Sequence, residues 1–290
     1  KKLNQAIKTV NPDFIIVLNF AFDFYWIPYI FKKIPKVKEY HSSRFYQMEQ
    51  RKTDGFFKRI FNSFIDYTVS KYDKIIVLNP TEKNFYTNRN IDVIPNPIAI
   101  SKKSADVTSK QVIAAGRIAP VKGFEKLIEA WEIVARVHPD WKLNIYGQGE
   151  EKYIHSLKDL IIEKQLNNTV FFQPATDMLL DEMVKHSIFV MSSVTECFPM
   201  VLLESLSVGL PIISFDCPTG PKNIITNNED GILVENQNSN ALAEKIVFLI
   251  NHPNIRVEMS ERGKQNVNRF CEEIIMNKWS TMLTNIKINN

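Results

Sequence analysis

The sequence predicts an α/β protein built from parallel sheets covered on both faces. Short, almost wholly apolar segments that close on glycine or a turn alternate with stretches whose apolar residues recur at helical spacing. The breaker Pro95-Asn96-Pro97, followed by a polar run from Ser101 to Lys110, divides the chain into two such series.

The second series is the plainer. Val112-Ile113-Ala114-Ala115 reads as a strand closed by Gly116, and Phe124, Leu127, Ile128, Trp131, Val134 and Ala135 mark one face of the next helix. Leu143-Asn144-Ile145-Tyr146, closed by Gly147 and Gly149, is the following strand. Val170-Phe171-Phe172 and Ile188-Phe189-Val190-Met191 continue the pattern, each after a helical segment. Pro199 to Val208 reads as a helix, and Pro211 to Phe215 and Ile232-Leu233-Val234 as strands. In the first series Phe14 to Leu18, Lys74 to Leu78 and Val93-Ile94 read as strands, while the tail is helical over 241–249, 256–270 and 274–286. The resulting division is a first domain over 1–98, a second over 99–272 and a C-terminal helix over 273–290.

One segment of the first domain stands apart. Phe56, Phe57, Ile60, Phe61, Phe64 and Ile65 share a helical face, with Lys58 and Arg59 alongside. It reads either as a helix packed on the sheet or as a basic, aromatic helix resting on an anionic membrane surface.

Composition excludes several classes. With 44% hydrophobic and 23% charged residues among 290, the chain has the make-up of a globular protein with sizeable cores. No run approaches the ~20 apolar residues of a membrane-spanning helix, and the opening Lys1-Lys2-Leu3-Asn4 carries no secretory signal. That opening lacks Met and falls inside a helical pattern, as a fragment of a longer chain would. Cys197, Cys217 and Cys271 have no CxxC spacing, which argues against a disulfide framework or a zinc site and fits a reducing, cytoplasmic compartment. The five histidines never reach metal-ligand spacing, so no metal is expected on them. Residues 1–100 hold 16 Lys/Arg against 9 Asp/Glu, while the remainder hold 20 against 23. Two units with different partners are implied, and the surplus is too diffuse for a nucleic-acid arm.

The chemistry concentrates around one carboxylate. From Cys197 to Phe215, nineteen residues, Glu204 is the single charge, on a helix that is apolar nearly all round. Such a helix is mostly buried, and an ionised group there needs a partner. The alternative is a narrow solvent stripe shared with Ser207. Pro199 suits the first helical position, and the helix N-terminus would then face the space beyond the strand ending near Ser193, where doubly wound folds bind ligands. Glu196 stands in the same loop, and two carboxylates there suit a polyhydroxylated ligand. Arg117 and Lys122, in Gly116-Arg117-x4-Lys122-Gly123, supply a fork-shaped and a point-charge cation for a diphosphate. Lys122 alone also reads as a solvated helix-start lysine.

Gly116-Arg117…Lys122-Gly123, Leu143 to Gly149, and Glu196-x7-Glu204 followed by Gly209-Leu210-Pro211 occur in order. With Asp216 to Pro221 and Gly231 to Val234 they closely resemble the retaining family 4 (group 1) glycosyltransferases of the GT-B type. The resemblance is dense over about 111–235, and Val93 to Pro97 looks like the family's interdomain segment. It implies two Rossmann-like domains, the N-terminal one truncated by two or three βα units, with the C-terminal helix packing back toward it.

The resemblance also assigns roles. Arg117 and Lys122 would bind the donor diphosphate, Glu204 the ribose hydroxyls and Glu196 the donor sugar near the reacting centre. The backbone at Cys197 and Phe198 would face the sugar, and the helix from Pro199 through Met200 and Val201 the phosphates, with Gly116 and Gly147 in the donor-side turns. His41, in Glu39-Tyr40-His41-Ser42, looks like the family's histidine over the donor sugar, although a satisfied strand-end histidine reads equally well. Two positions depart: Cys197 replaces a frequent glycine, and Lys222-Asn223 stands where a glutamate is frequent.

The implied reaction is metal-independent, cofactor-free transfer of a hexosyl or N-acetylhexosaminyl group with retention. Its donor would be a nucleotide sugar, UDP-linked on family frequency, and its acceptor a glycan or lipid-linked sugar in cell-surface polysaccharide synthesis. Peripheral contact with the inner face of the cell membrane follows from the basic first domain. The alternatives are a nucleotide-sugar 2-epimerase-like enzyme and a non-catalytic UDP-sugar-binding module.

Overall fold

The computed structural model describes residues 2–18, 22–87 and 90–289. In chain order its first part carries α1 (Lys2–Val10), β1 (Ile15–Val17), β2 (Lys36–Tyr40), α2 (Arg44–Arg51), α3 (Phe56–Val69), β3 (Lys74–Val77), α4 (Pro80–Lys83) and β4 (Ile91–Val93). There follow β5 (Gln111–Ala115), α5 (Phe124–Val137), β6 (Lys142–Tyr146), α6 (Glu151–Glu163), β7 (Val170–Gln173), α7 (Leu179–Met183) and β8 (Ile188–Met191). The chain ends with α8 (Met200–Ser207), β9 (Ile212–Phe215), β10 (Gly231–Val234), α9 (Ser239–Asn251), α10 (Pro253–Asn266) and α11 (Glu272–Asn289). These elements form two compact units, one of Asn96–Glu272 and one of Lys1–Pro95 with Glu273–Asn290.

The larger unit is a parallel sheet in the order β10-β9-β8-β5-β6-β7. β8 and β9 are buried throughout, which is why their sequences are apolar runs rather than alternations. Leu127, Ile128, Trp131 and Val134 of α5 are wholly buried in a core shared with Leu242, Ile246 and Leu249 of α9. Chain order runs outward from β5 through β6 to β7, then returns to β8 on the other side of β5. The strand order therefore reverses between β5 and β8, and loops leaving their carboxyl ends part to leave a crevice.

The smaller unit is a parallel four-stranded sheet in the order β1-β2-β3-β4. One face packs Tyr40, Ile75, Val77 and Ile91 against Val69, Tyr72 and Phe24. The other packs Val37, Ile76 and Ile94 against Ile275, Met282 and Ile286, so α11 returns to cover this sheet as expected. β2, with its lysines and glutamate, has no counterpart in the sequence reading. The reading of α3 as a helix packed on the sheet is corrected. Only Thr68 and Val69 of α3 are buried, whereas Phe56 and Phe57 are 73% and 85% exposed, and Ile60, Phe61 and Phe64 are exposed too. The apolar face is real, but it reaches the core only through Ile65 and Val69, with Phe61 and Phe64 half-exposed against the Tyr25 ring.

Lys38 is the unusual core residue here. It is fully buried on β2, where Nζ donates to the carbonyls of Val17 (3.2 Å) and Glu39 (3.0 Å) and lies 4.7 Å from the Tyr40 ring centre. Burial disfavours the ammonium and brings its pKa down to about 8. An unfolded chain holds its lysines near about 10.4, so between these values the unfolded state binds more protons and stability rises with pH. Buried Tyr40, whose pKa is raised by desolvation, opposes this only above the ordinary phenol range. From pH 8 to 10 calorimetry should show a climb of the thermal midpoint contributed by Lys38, set against a fall contributed by the buried Cys217 thiol, whose pKa desolvation raises. Lys38→Met should flatten that climb; an equally steep rise in the variant would exclude Lys38 as its source.

Candidate active site

The crevice between β5 and β8 gathers most of the residues singled out in the sequence. β5 ends at Ala115, and the chain passes through Gly116 and Arg117 to a tight turn at Pro120–Lys122 before α5. Gly123 closes that turn at φ +61°, and a Cβ there would overlap the Ser192 carbonyl. This close approach is stitched by Val194 N–H to the Val121 carbonyl (2.9 Å) and Ser192 Oγ to the Lys122 carbonyl (3.0 Å). The loops after β5 and β8 are thus fastened to each other.

Across this seam the Lys122 ammonium meets Glu196. Nζ is 2.5 Å from Oε1, which also accepts a hydrogen bond from Ser193 Oγ at 2.8 Å. The Glu196 side chain is 13% exposed, so the pair is largely withdrawn from water and the carboxylate is held in one place. Lys122 is therefore ion-paired and three-quarters buried rather than a solvated lysine at a helix start. Arg117 is exposed, at the rim of a cavity of about 620 Å³. Ala115, Gly116, Tyr146, Gly147, Gln148 and Thr176 also line it, at the carboxyl ends of β5, β6 and β7. Gly147 is required here, because a Cβ would strike the Gly116 carbonyl.

Beyond Glu196 the loop turns into α8. Cys197 and Phe198 are buried, with Phe198 edge-on to Phe270 at 5.7 Å. Pro199 is the residue before the helix rather than its first residue, so the free N–H groups begin at Met200. Met200, Val201 and Glu204 are the part-exposed stripe of α8, while Leu202, Leu203, Ser205, Leu206 and Ser207 are buried. A solvent stripe shared by Glu204 and Ser207 is thereby excluded: Ser207 is buried and donates its hydroxyl to the Glu204 carbonyl (2.8 Å). The Glu204 carboxylate has no hydrogen-bond or ion-pair partner among the described residues, and burial raises its pKa.

His41 lies in the other unit, one residue past the carboxyl end of β2, with Nε2 3.2 Å from Glu39 Oε1. Asn223, at one of the departures from the family pattern, donates its side-chain amide to the Thr219 carbonyl. Among the described residues no group of three or more His, Cys, Asp or Glu could hold a metal ion. Ser193, Thr219, Tyr146, Gln148 and Thr176 escaped the sequence reading. Tyr146, Gln148 and Thr219 fall inside the motifs that carry the resemblance without being given a role, and for Ser193 and Thr176 the available signal was position, in or beside loops leaving parallel strands at the same sheet edge.

Two parallel α/β units, one of them with the Lys122–Glu196 pair at its switch point, have the architecture of the GT-B glycosyltransferases. A family model described as "Glycosyl transferases group 1" matches residues 96–266, and the chain belongs to that family. An uncharacterized glycosyltransferase of Haemophilus influenzae is 32% identical over 74% of this chain and 62% of its own length. The poly(ribitol-phosphate) alpha-N-acetylglucosaminyltransferase of Staphylococcus aureus is 27% identical over 78% of this chain and 46% of its own. A crystal structure of S. aureus TarM, a variant in complex with Fondaparinux, alpha-GlcNAc-glycerol and UDP, superposes with a TM-score of 0.79 at 25% identity, covering 96% of this chain and 57% of that one. The chain thus spans less than two thirds of the length of each.

Glu204 generates a separable prediction. A half-buried carboxylate without a cation costs stability at neutral pH, and that cost disappears as pH falls through its raised pKa. Glu204→Gln should leave the thermal midpoint at pH 7 equal or higher while weakening UDP binding by about tenfold or more. Unchanged UDP affinity by calorimetry would remove Glu204 from the donor site.

Proposed function

We propose that the chain transfers a hexosyl or N-acetylhexosaminyl group from a UDP-sugar to a glycan or lipid-linked acceptor, with retention, in the synthesis of a cell-surface polymer. The observation that carries this reading is the Lys122–Glu196 contact across the switch point, with the unpartnered Glu204 one turn into α8. The relatives support the substrate class: one is named for transferring N-acetylglucosamine to a poly(ribitol phosphate), another was solved with UDP.

In this reading Arg117, Lys122 and the first N–H groups of α8 receive the diphosphate. As the bond from the anomeric carbon to the leaving oxygen stretches, negative charge grows on that diphosphate. Groups fixed beforehand in a partly desolvated site stabilise it without reorganising. Glu204 accepts hydrogen bonds from the ribose hydroxyls, and Glu196 from the sugar. The ammonium of Lys122 has three donors, so it can keep Glu196 and still reach a phosphate oxygen. No metal is assigned a role, and His41 is proposed to lie over the donor sugar.

A screen of UDP-sugars for UDP release tests the assignment. Lys122→Ala and Arg117→Ala should each lower kcat by roughly 100- to 1000-fold. Release at wild-type rates from both variants would exclude these cations from the reaction.

Membrane contact belongs to the same proposal and rests on α3. Its exposed Phe56, Phe57, Ile60, Phe61 and Phe64, with Lys58 and Arg59 alongside, suit the interface of an anionic bilayer. In flotation with phosphatidylglycerol vesicles the chain should rise with the lipid, and Phe56→Ser/Phe57→Ser should stay behind. Equal flotation of both proteins, or of neither, would remove α3 from membrane binding.

A further inference from the structure

We propose that Thr219 is a positioning residue, a latch that fixes the loop from Glu196 to Pro199 and so sets the Glu196 carboxylate; its catalytic consequence rests on the reading of Glu196 given above. Thr219 is buried and has φ +72°, a left-handed conformation that a β-branched residue rarely adopts. Such a conformation persists only where the surroundings over-determine it.

The surroundings do so here. Thr219 Oγ1 donates a 2.6 Å hydrogen bond to the Glu196 carbonyl, and the two residues form an isolated parallel bridge between their backbones. The Asn223 side-chain amide holds the Thr219 carbonyl from behind. At the next residue the turn lies flat against the loop: a Cβ on Gly220 would be 2.7 Å from Glu196 Cβ and 3.1 Å from Pro199 Cδ. Glu196 is consequently gripped twice. Its carboxylate is fixed from the β5 side by Lys122 and within its own loop by Ser193, and its backbone from the β9 side by Thr219.

Glycine would relieve the strain, because it occupies this region without steric cost. A residue present for stability alone would, on replacement by glycine, change the midpoint and leave the exchange of the loop as it is; one present to hold the loop would not. That difference gives the test. Thr219→Ser keeps the donor, Thr219→Val keeps the shape and loses the donor, and Thr219→Gly loses both donor and strain.

Hydrogen exchange of amides 194–198 and kcat for UDP release are measured on each variant, with thermal midpoints. Thr219→Val and Thr219→Gly should exchange faster over 194–198 and lose about 10- to 100-fold in kcat. Their affinity for UDP, shared among Arg117, Lys122, Glu204 and the first N–H groups of α8, should fall by less than kcat does. Thr219→Gly should show these losses whichever way its midpoint moves, since relief of strain and loss of a buried hydrogen bond oppose each other, and Thr219→Ser should behave as wild type. Unchanged exchange in the valine and glycine variants overturns the latch. Faster exchange with unchanged kcat overturns its link to catalysis. Faster exchange in a protein whose wild type releases UDP from no UDP-sugar upholds the latch and overturns the transferase reading instead.

Discussion

The contact between Lys122 and Glu196 depends on the reversal of strand order between β5 and β8, and the rest of the site depends on that contact. In an unbroken series of parallel strands every crossover helix lies on one face, and successive loops crowd together. Here the chain leaves β5 toward β6 and leaves β8 toward β9, so the two loops diverge and a crevice opens at one edge of the sheet. Gly123 then lets the loops touch again along a short seam, where a side chain would have held them apart. The ion pair closes that seam. Two charges withdrawn from water cost desolvation, offset by their attraction and by the Ser193 hydroxyl. Such a pair is a weak source of stability but a strong source of geometry, because either charge alone would be worse than both.

Glu204 has the opposite economy. α8 buries its leucines and serines and leaves one stripe part-open, and on that stripe the fold supplies no cation for the carboxylate. Stability alone would favour glutamine or leucine at this position. A ligand with vicinal hydroxyls supplies the missing donors, so energy withheld in folding becomes available on binding. Contrast with Glu196 sharpens the point. One carboxylate is satisfied within the protein and immobile, the other unsatisfied and open, and in the proposed reaction they serve different parts of one donor.

Legibility in the sequence followed burial. β5, β8 and β9 were readable because strands covered on both faces must be apolar throughout. β2 was not, because Lys-Val-Lys-Glu-Tyr reads as exposed; the backbone carbonyls of Val17 and Glu39 and the neighbouring aromatic rings help make a buried Lys38 tolerable. The periodicity of α3 identified an apolar face but carried no information about what that face meets. In the site, Glu204 announced itself as a lone charge in an apolar helix. Ser193 and Thr219 did not, since a hydroxyl that acts by reaching one carbonyl or carboxylate has no signature until the backbone has placed it.

The smaller unit carries a constraint of its own. An exposed cluster of phenylalanines on α3 orders water at a cost that a core-facing helix would avoid, and contiguous apolar surface of this kind marks a contact. Charge narrows the partner. The first hundred residues carry the chain's entire cationic surplus, and Lys58 stands 78% exposed beside those rings with Asp54 3.7 Å away as its nearest counter-charge. A purely apolar protein partner would have to desolvate these cations, whereas an anionic bilayer accepts rings and cations together at different depths. Under the proposed function the two units would divide the labour by charge as well as by fold: the mildly acidic one would hold the donor, and the basic one would meet an anionic surface.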